Sequence, residues 1–196
     1  MKDYLIYTLF LCLLSLGCKK DSGNSDGAAS QLPEITTEGK NTFGCLIDGR
    51  PYVVSGSSGN LFLDAMVIWD SVSSFYGSRI VANIHRDSGP SDSAIIINTQ
   101  KKTIIIKNDV IRMGGGFVSG YDYFGEANYV IDTGASFTDN YYSGYAPTPS
   151  GEVQYLRLDI NSGIVSGTFW FDAYNLQNGL PNKKIEVREG RFDIKF

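Results

Sequence analysis

The chain has 196 residues, with 17 Lys and Arg against 21 Asp and Glu for a formal net charge of −4. This mild acidity, without any Lys/Arg cluster, excludes nucleic acid as a partner class. Cys12 and Cys18 fall in the N-terminal leader region, and the one His and one remaining Cys cannot make a structural zinc site or a disulfide framework, so no metal or other cofactor is expected.

The N-terminus carries a basic residue, Lys2, and an apolar run from Leu5 to Leu16, ending at Gly17-Cys18. That run is too short to cross a bilayer as a permanent helix and reads as a secretory signal over residues 1–17. Leu13-Leu14-Ser15-Leu16-Gly17-Cys18 resembles a bacterial lipobox, although Ser15 and Leu16 depart from its commonest pattern. The resemblance implies cleavage before Cys18, lipid on the new N-terminal cysteine and a membrane partner through that lipid. Lys19 after the cysteine resembles the sorting pattern of outer-membrane lipoproteins. An ordinary signal peptide that leaves Cys18 free is the alternative. Cys12 leaves with the signal in either case, and Cys45 is left without an intramolecular partner. Residues 18–40 are small and polar and read as the lipidated cysteine plus a flexible spacer. The Asp21, Asn24, Asp26 spacing lacks the glutamate that closes a calcium loop.

From residue 41 to 196 the pattern is that of a single β domain. Phe43, Cys45 and Ile47 alternate on one face, and Asp48-Gly49 is a two-residue hairpin signal with Tyr52-Val53-Val54 as the return strand. Cys45 then reads as a small, buried, inert residue. Leu61–Trp69 is a mostly apolar run, and Ile80, Ala82 and Ile84 alternate with Arg79, Val81 and Asn83. Ala94–Ile97 and Thr103–Ile106 predict two strands buried on both faces, joined by a hairpin loop over Asn98–Lys102. Leu156, Leu158 and Ile160 are expected to face inward, then Phe169 and Phe171 after an Asn161-Ser162-Gly163 turn. Ile185 and Val187, with Phe192, Ile194 and Phe196, predict a last hairpin turning tightly at Glu189-Gly190. Burying Phe192, worth ~2 kcal/mol, outweighs the like-charge pairs that such a turn sets opposite each other.

Thr42–Gly49, Gly163–Phe171 and Glu189–Ile194 together resemble an uncharacterised lipoprotein family of Bacteroidota. Its members carry a lipobox, a short spacer and one β-rich domain. The resemblance implies the anchor and the domain limits and transfers no catalytic residue.

Chemistry-bearing strings are few. Val130-Ile131-Asp132-Thr133-Gly134-Ala135 resembles one aspartic-protease loop, but that reaction needs two carboxylates sharing a proton, and an Asp-Thr-Gly turn explains the string as well. His85 alone would have to serve any nucleophile, and Asp87–Asp92 reads as a solvated turn. Tyr121, Tyr123, Tyr129, Tyr141, Tyr142 and Tyr145 crowd one Gly- and Pro-rich stretch. Adjacent strand residues face opposite sides, so Tyr141 and Tyr142 cannot both point inward. Tyr141, Tyr142 and Tyr145 are therefore the candidate contact surface for a glycan or an envelope protein. The expected fold is all-β, an antiparallel two-sheet sandwich with a closed or partly open barrel as the alternative. The expected function is a lipid-anchored, non-enzymatic binding or structural module of the cell envelope. A hydrolase acting on envelope or environmental polymers is the alternative.

Overall fold

The computed structural model describes residues 25–55, 61–71, 75–84, 92–114, 123–132, 138–146, 148–177 and 180–196. A helical turn, α1 (Ser25–Ala29), leads into β1 (Thr42–Ile47), β2 (Arg50–Ser55), β3 (Leu61–Asp70), β4 (Phe75–Ile84) and β5 (Asp92–Lys101). Next come β6 (Val110–Met113), β7 (Tyr123–Asp132), β8 (Thr138–Tyr142), β9 (Gly151–Asp159), β10 (Ile164–Gln177) and β11 (Leu180–Lys195). The domain is all-β, as the alternation of its residues requires.

The strands form one hydrogen-bonded sheet in the order β2-β1-β11-β10-β9-β6-β7-β5-β4-β3, with β8 bridging β7 and β10. Pairing is antiparallel apart from a parallel contact between Met113 and Gly125. Strands β10, β9, β6, β7 and β8 close a small barrel. The arms on either side of it fold toward each other over one core. The Tyr52 hydroxyl on β2 reaches across to the Ala82 carbonyl on β4 (3.0 Å) and the Ser93 carbonyl on β5 (2.9 Å). The two layers of a sandwich are thus continuous through the barrel that was its alternative.

Alternation sets the core. Phe43 and Cys45 on β1, Ile80 and Ala82 on β4, and Phe169 and Phe171 on β10 all point inward, with Ile185 and Val187 on β11 beside them. The Asp48-Gly49 turn has φ of 48° and 78°, the left-handed pair that a two-residue hairpin demands. Tyr155 is fully buried, and its hydroxyl is satisfied by those of Ser78 and Thr99.

Three expectations about strands are corrected. Glu189-Gly190 is not a turn: β11 runs through it. Between the β1 pairs Gly44↔Arg191 and Leu46↔Arg188, Cys45 faces two residues, Glu189 and Gly190. Facing β10, Trp170 likewise stands opposite Arg188 and Glu189. This β-bulge flips the inward parity from Val187 to Phe192 just as a turn would, and it keeps both buried. A second bulge at Leu156 turns Tyr155 inward in its place, Leu158 beyond it packs against the core as expected, and Ile160 is exposed because β9 ends at Asp159. Asn98–Lys101 continues β5, and Thr103–Ile106 is irregular, with Ile105 buried and Ile104 and Ile106 exposed. Asp109 organises that segment by accepting from the Ile106 amide (2.8 Å) and pairing with Lys101 (2.7 Å).

The described part of the expected spacer, residues 25–40, is also not loose. Leu32 is buried, and Pro33 crosses β1 at Gly44, where a Cβ would stand 2.5 Å from the proline ring. Further along, the buried Asp193 carboxylate accepts from the Thr36 hydroxyl (2.6 Å) and the amides of Glu38, Gly39 and Lys40 (2.8–3.2 Å). Burial alone would raise the Asp193 pKa, but these donors prevail and hold it below its ordinary value. Arg157 and Arg191 add bonds to the carbonyls of Thr37 and Pro33. The segment is a strap across the outer face of β1, β11 and β10.

Candidate functional site

The strap, the bulge and the outer face of β9–β11 together shape a groove of about 380 Å³. Its centre is Trp170, which alternation on β10 turns outward, leaving it 39% exposed. Arg188, displaced by the bulge, lays its guanidinium 5.5 Å from the Trp170 ring centre. The same guanidinium is fixed by Asp172 (2.6 Å), Glu186 (3.3 Å) and the Phe171 carbonyl (3.2 Å). Glu152 and Gln154 on β9 and Thr168 on β10 line one side, and Ile35 of the strap, Arg191 and Glu189 line the rest. Gly190 also lines the groove, and it packs so closely on Phe169 that a Cβ there would lie 2.5 Å from the Phe169 carbonyl oxygen.

The charges of the groove are internally compensated. Arg191 pairs with Glu189 at 3.4 Å, and Glu152 lies 3.9 Å from Arg112. The two carboxylate side chains are 62% and 42% exposed, respectively.

The predicted tyrosine surface is divided. Tyr141 is 2% exposed and packs in the core against Tyr129 at 6.2 Å, because β8 seats it on the inner face of the barrel. It is withdrawn from any contact surface. Tyr142 and Tyr145 do reach the surface, edge to face at 4.9 Å, with the Tyr142 hydroxyl on the Glu126 carboxylate. Burial first, and then that carboxylate, push the Tyr142 pKa up. The pair therefore already has a structural partner.

Cys18, His85 and residues 133–137 of the Asp-Thr-Gly string lie outside the described residues, as do residues 87–91 of the acidic turn. Among the described residues no group of three or more His, Cys, Asp or Glu is placed to hold a metal, and no helix is long and apolar enough to cross a membrane. Cys45 is buried and free, and its burial pushes the thiol pKa up.

The alternation of Phe169 and Phe171 left Trp170 between them without a role in the sequence reading. That reading missed the groove because Arg188 and Glu189 were assigned to a hairpin and Ile35 to a spacer. The signals available were the apolar Leu32, Pro33 and Ile35 within a polar stretch. No family model, curated protein or solved structure matches the chain.

Proposed function

We propose that this chain is a lipid-anchored module of the cell envelope, held at the outer membrane through Cys18, that binds a ligand rather than transforming it. The lipobox resemblance supports the anchor, and Lys19 supports the outer-membrane assignment. The observation that carries the binding reading is the groove, where a half-exposed tryptophan is held in place by an arginine and ringed by polar side chains. Sites of this volume, with one apolar platform and a few convergent polar groups, are the usual form of a small-ligand site.

A hydrolase is the second reading, because Glu152 and Glu189 line the same groove. A glycosidase acid needs a carboxyl in a desolvated pocket that keeps it protonated near neutrality. Glu152 and Glu189 are instead solvent-exposed and next to guanidinium groups, which favours binding.

The test is retention of the full chain, in detergent, on lipid-extracted cell envelopes, where the anchor has no bilayer to enter. Trp170→Ala is expected to weaken retention at least tenfold, and the native chain is expected to release no reducing ends or peptides. Turnover abolished by Glu152→Gln or Glu189→Gln would replace this reading with the hydrolase.

A further inference from the structure

Resting on that reading of the groove, we infer that its ligand is a neutral glycan chain, with one pyranose ring stacked on Trp170. The face of a pyranose is a set of weakly positive C–H groups, which suits the negative face of an indole. Arg188 covers one face of the Trp170 ring and holds it in place, so the sugar stacks on the opposite face of a side chain that stays 39% exposed, and little side-chain freedom is lost on binding. Hydroxyls around the stacked ring need donors and acceptors on the same surface. Glu152 and Gln154 on β9 and Thr168 beside them on β10 supply both kinds. Neighbouring strands set these groups about 4.8 Å apart within rows that run across the sheet, and successive rows on one face lie about 6.7 Å apart along the strands. The pairs Gln154↔Thr168 and Thr168↔Arg191 form one row, and Glu152↔Trp170 the next. Ile35 closes the strap end with an apolar wall, 55% exposed, against which the next ring can rest.

Charge decides between neutral and acidic chains. A uronate or sulfated polymer is captured by uncompensated guanidinium groups. Here Arg188 is satisfied by Asp172 and Glu186, and Arg191 pairs with Glu189. Glu152 and Glu189 would repel a polyanion. A protein partner of ordinary affinity would need about 800 Å² of surface with an apolar centre. The groove offers one tryptophan and one isoleucine among charges.

The experiment uses the full chain in detergent carrying Trp69→Phe, which leaves Trp170 as its only indole. Hexasaccharides of β-linked glucose, xylose and N-acetylglucosamine, together with oligogalacturonate, are titrated by fluorescence. Affinities are then compared by calorimetry in Trp170→Ala, Trp170→Phe and Gln154→Ala chains. At least one neutral chain is expected to saturate and perturb Trp170. Trp170→Ala is expected to weaken it at least tenfold, Trp170→Phe less, and Gln154→Ala severalfold. Should Trp170→Ala fail to fold, Trp170→Phe and Gln154→Ala still decide. Absence of saturation by every neutral chain, a preference for oligogalacturonate, or binding indifferent to the variants overturns the inference. Trp170-dependent retention on envelopes that no neutral chain competes would overturn the glycan alone. Retention independent of Trp170 would overturn the binding site as well.

Discussion

At the residue scale, two positions carry more constraint than their chemistry suggests. Cys45 sits in the core beside the Asp48-Gly49 hairpin, fully buried, with its thiol pKa pushed up by that burial. A thiol reagent is expected to leave the native protein unmodified and to label it only on unfolding, since the thiolate is the reactive form. Cys45→Ala is expected to cost about 1–2 kcal/mol in a urea titration, as a small core truncation. Fast native labelling would contradict this burial. Glu189 holds the bulge with φ of 54°, a left-handed conformation that costs a side-chain-bearing residue about 1–2 kcal/mol. Glu189→Gly removes that cost but frees the unfolded chain, so its denaturation midpoint is expected close to the native one. Glu189→Val, branched at Cβ, is expected to lose about 1–2 kcal/mol more than Glu189→Gly. Equal midpoints for the two variants would mean that the position is unstrained.

At the scale of elements, the strap depends on one carboxylate. Removing the Asp193 side chain leaves three part-buried amides and a hydroxyl without their acceptor, so Asp193→Ala is expected to cost about 1–3 kcal/mol. It should also open residues 25–40 to proteolysis before the sheet unfolds. The pH dependence has a definite sign. The Asp193 pKa is lower in the folded state than its ordinary 3.8, so its contribution is full above that value and is lost as pH falls toward the folded one. The stability gap between native protein and Asp193→Ala is thus expected to be constant near neutrality and to narrow below about pH 4. A gap that widens in acid would refute the assignment.

The same scale shows what sequence reveals and what it conceals. Asp48-Gly49, Ile80/Ala82 and Phe169/Phe171 were legible because a local pattern decides them. The bulge was not, since a turn and a one-residue insertion flip parity alike, and only the partners of β11 distinguish them. Strand Asn98–Lys101 was misread because its polar residues look like a loop. There, Thr99 faces the Tyr155 hydroxyl and Asn98 the Glu126 carboxylate, partners distant in sequence. The groove inherits both errors, being built from a bulge and a strap.

At the scale of the whole molecule, the sheet covers its core with two arms meeting across Tyr52, and the proposed anchor lies upstream of α1. Cys18→Ala is expected to move the protein out of the membrane fraction or to leave it as an unprocessed precursor. Membrane fractionation and mass spectrometry of the mature chain check this. A variant that still fractionates with membrane at the native mature mass would remove the lipid from the proposal.

The docked strap also fixes a length. If residues 18–40 were all loose, the domain could range freely above its lipid. Because the chain is already folded against the domain from Ser25, only seven residue steps separate the fold from Cys18, the proposed site of the lipid. Fully extended, they span at most about 25 Å. An acylated chain would then hold its groove within a few nanometres of its own bilayer. Ligand already lying on that surface would be met at high effective concentration, so weak affinity for each ring would suffice for retention there.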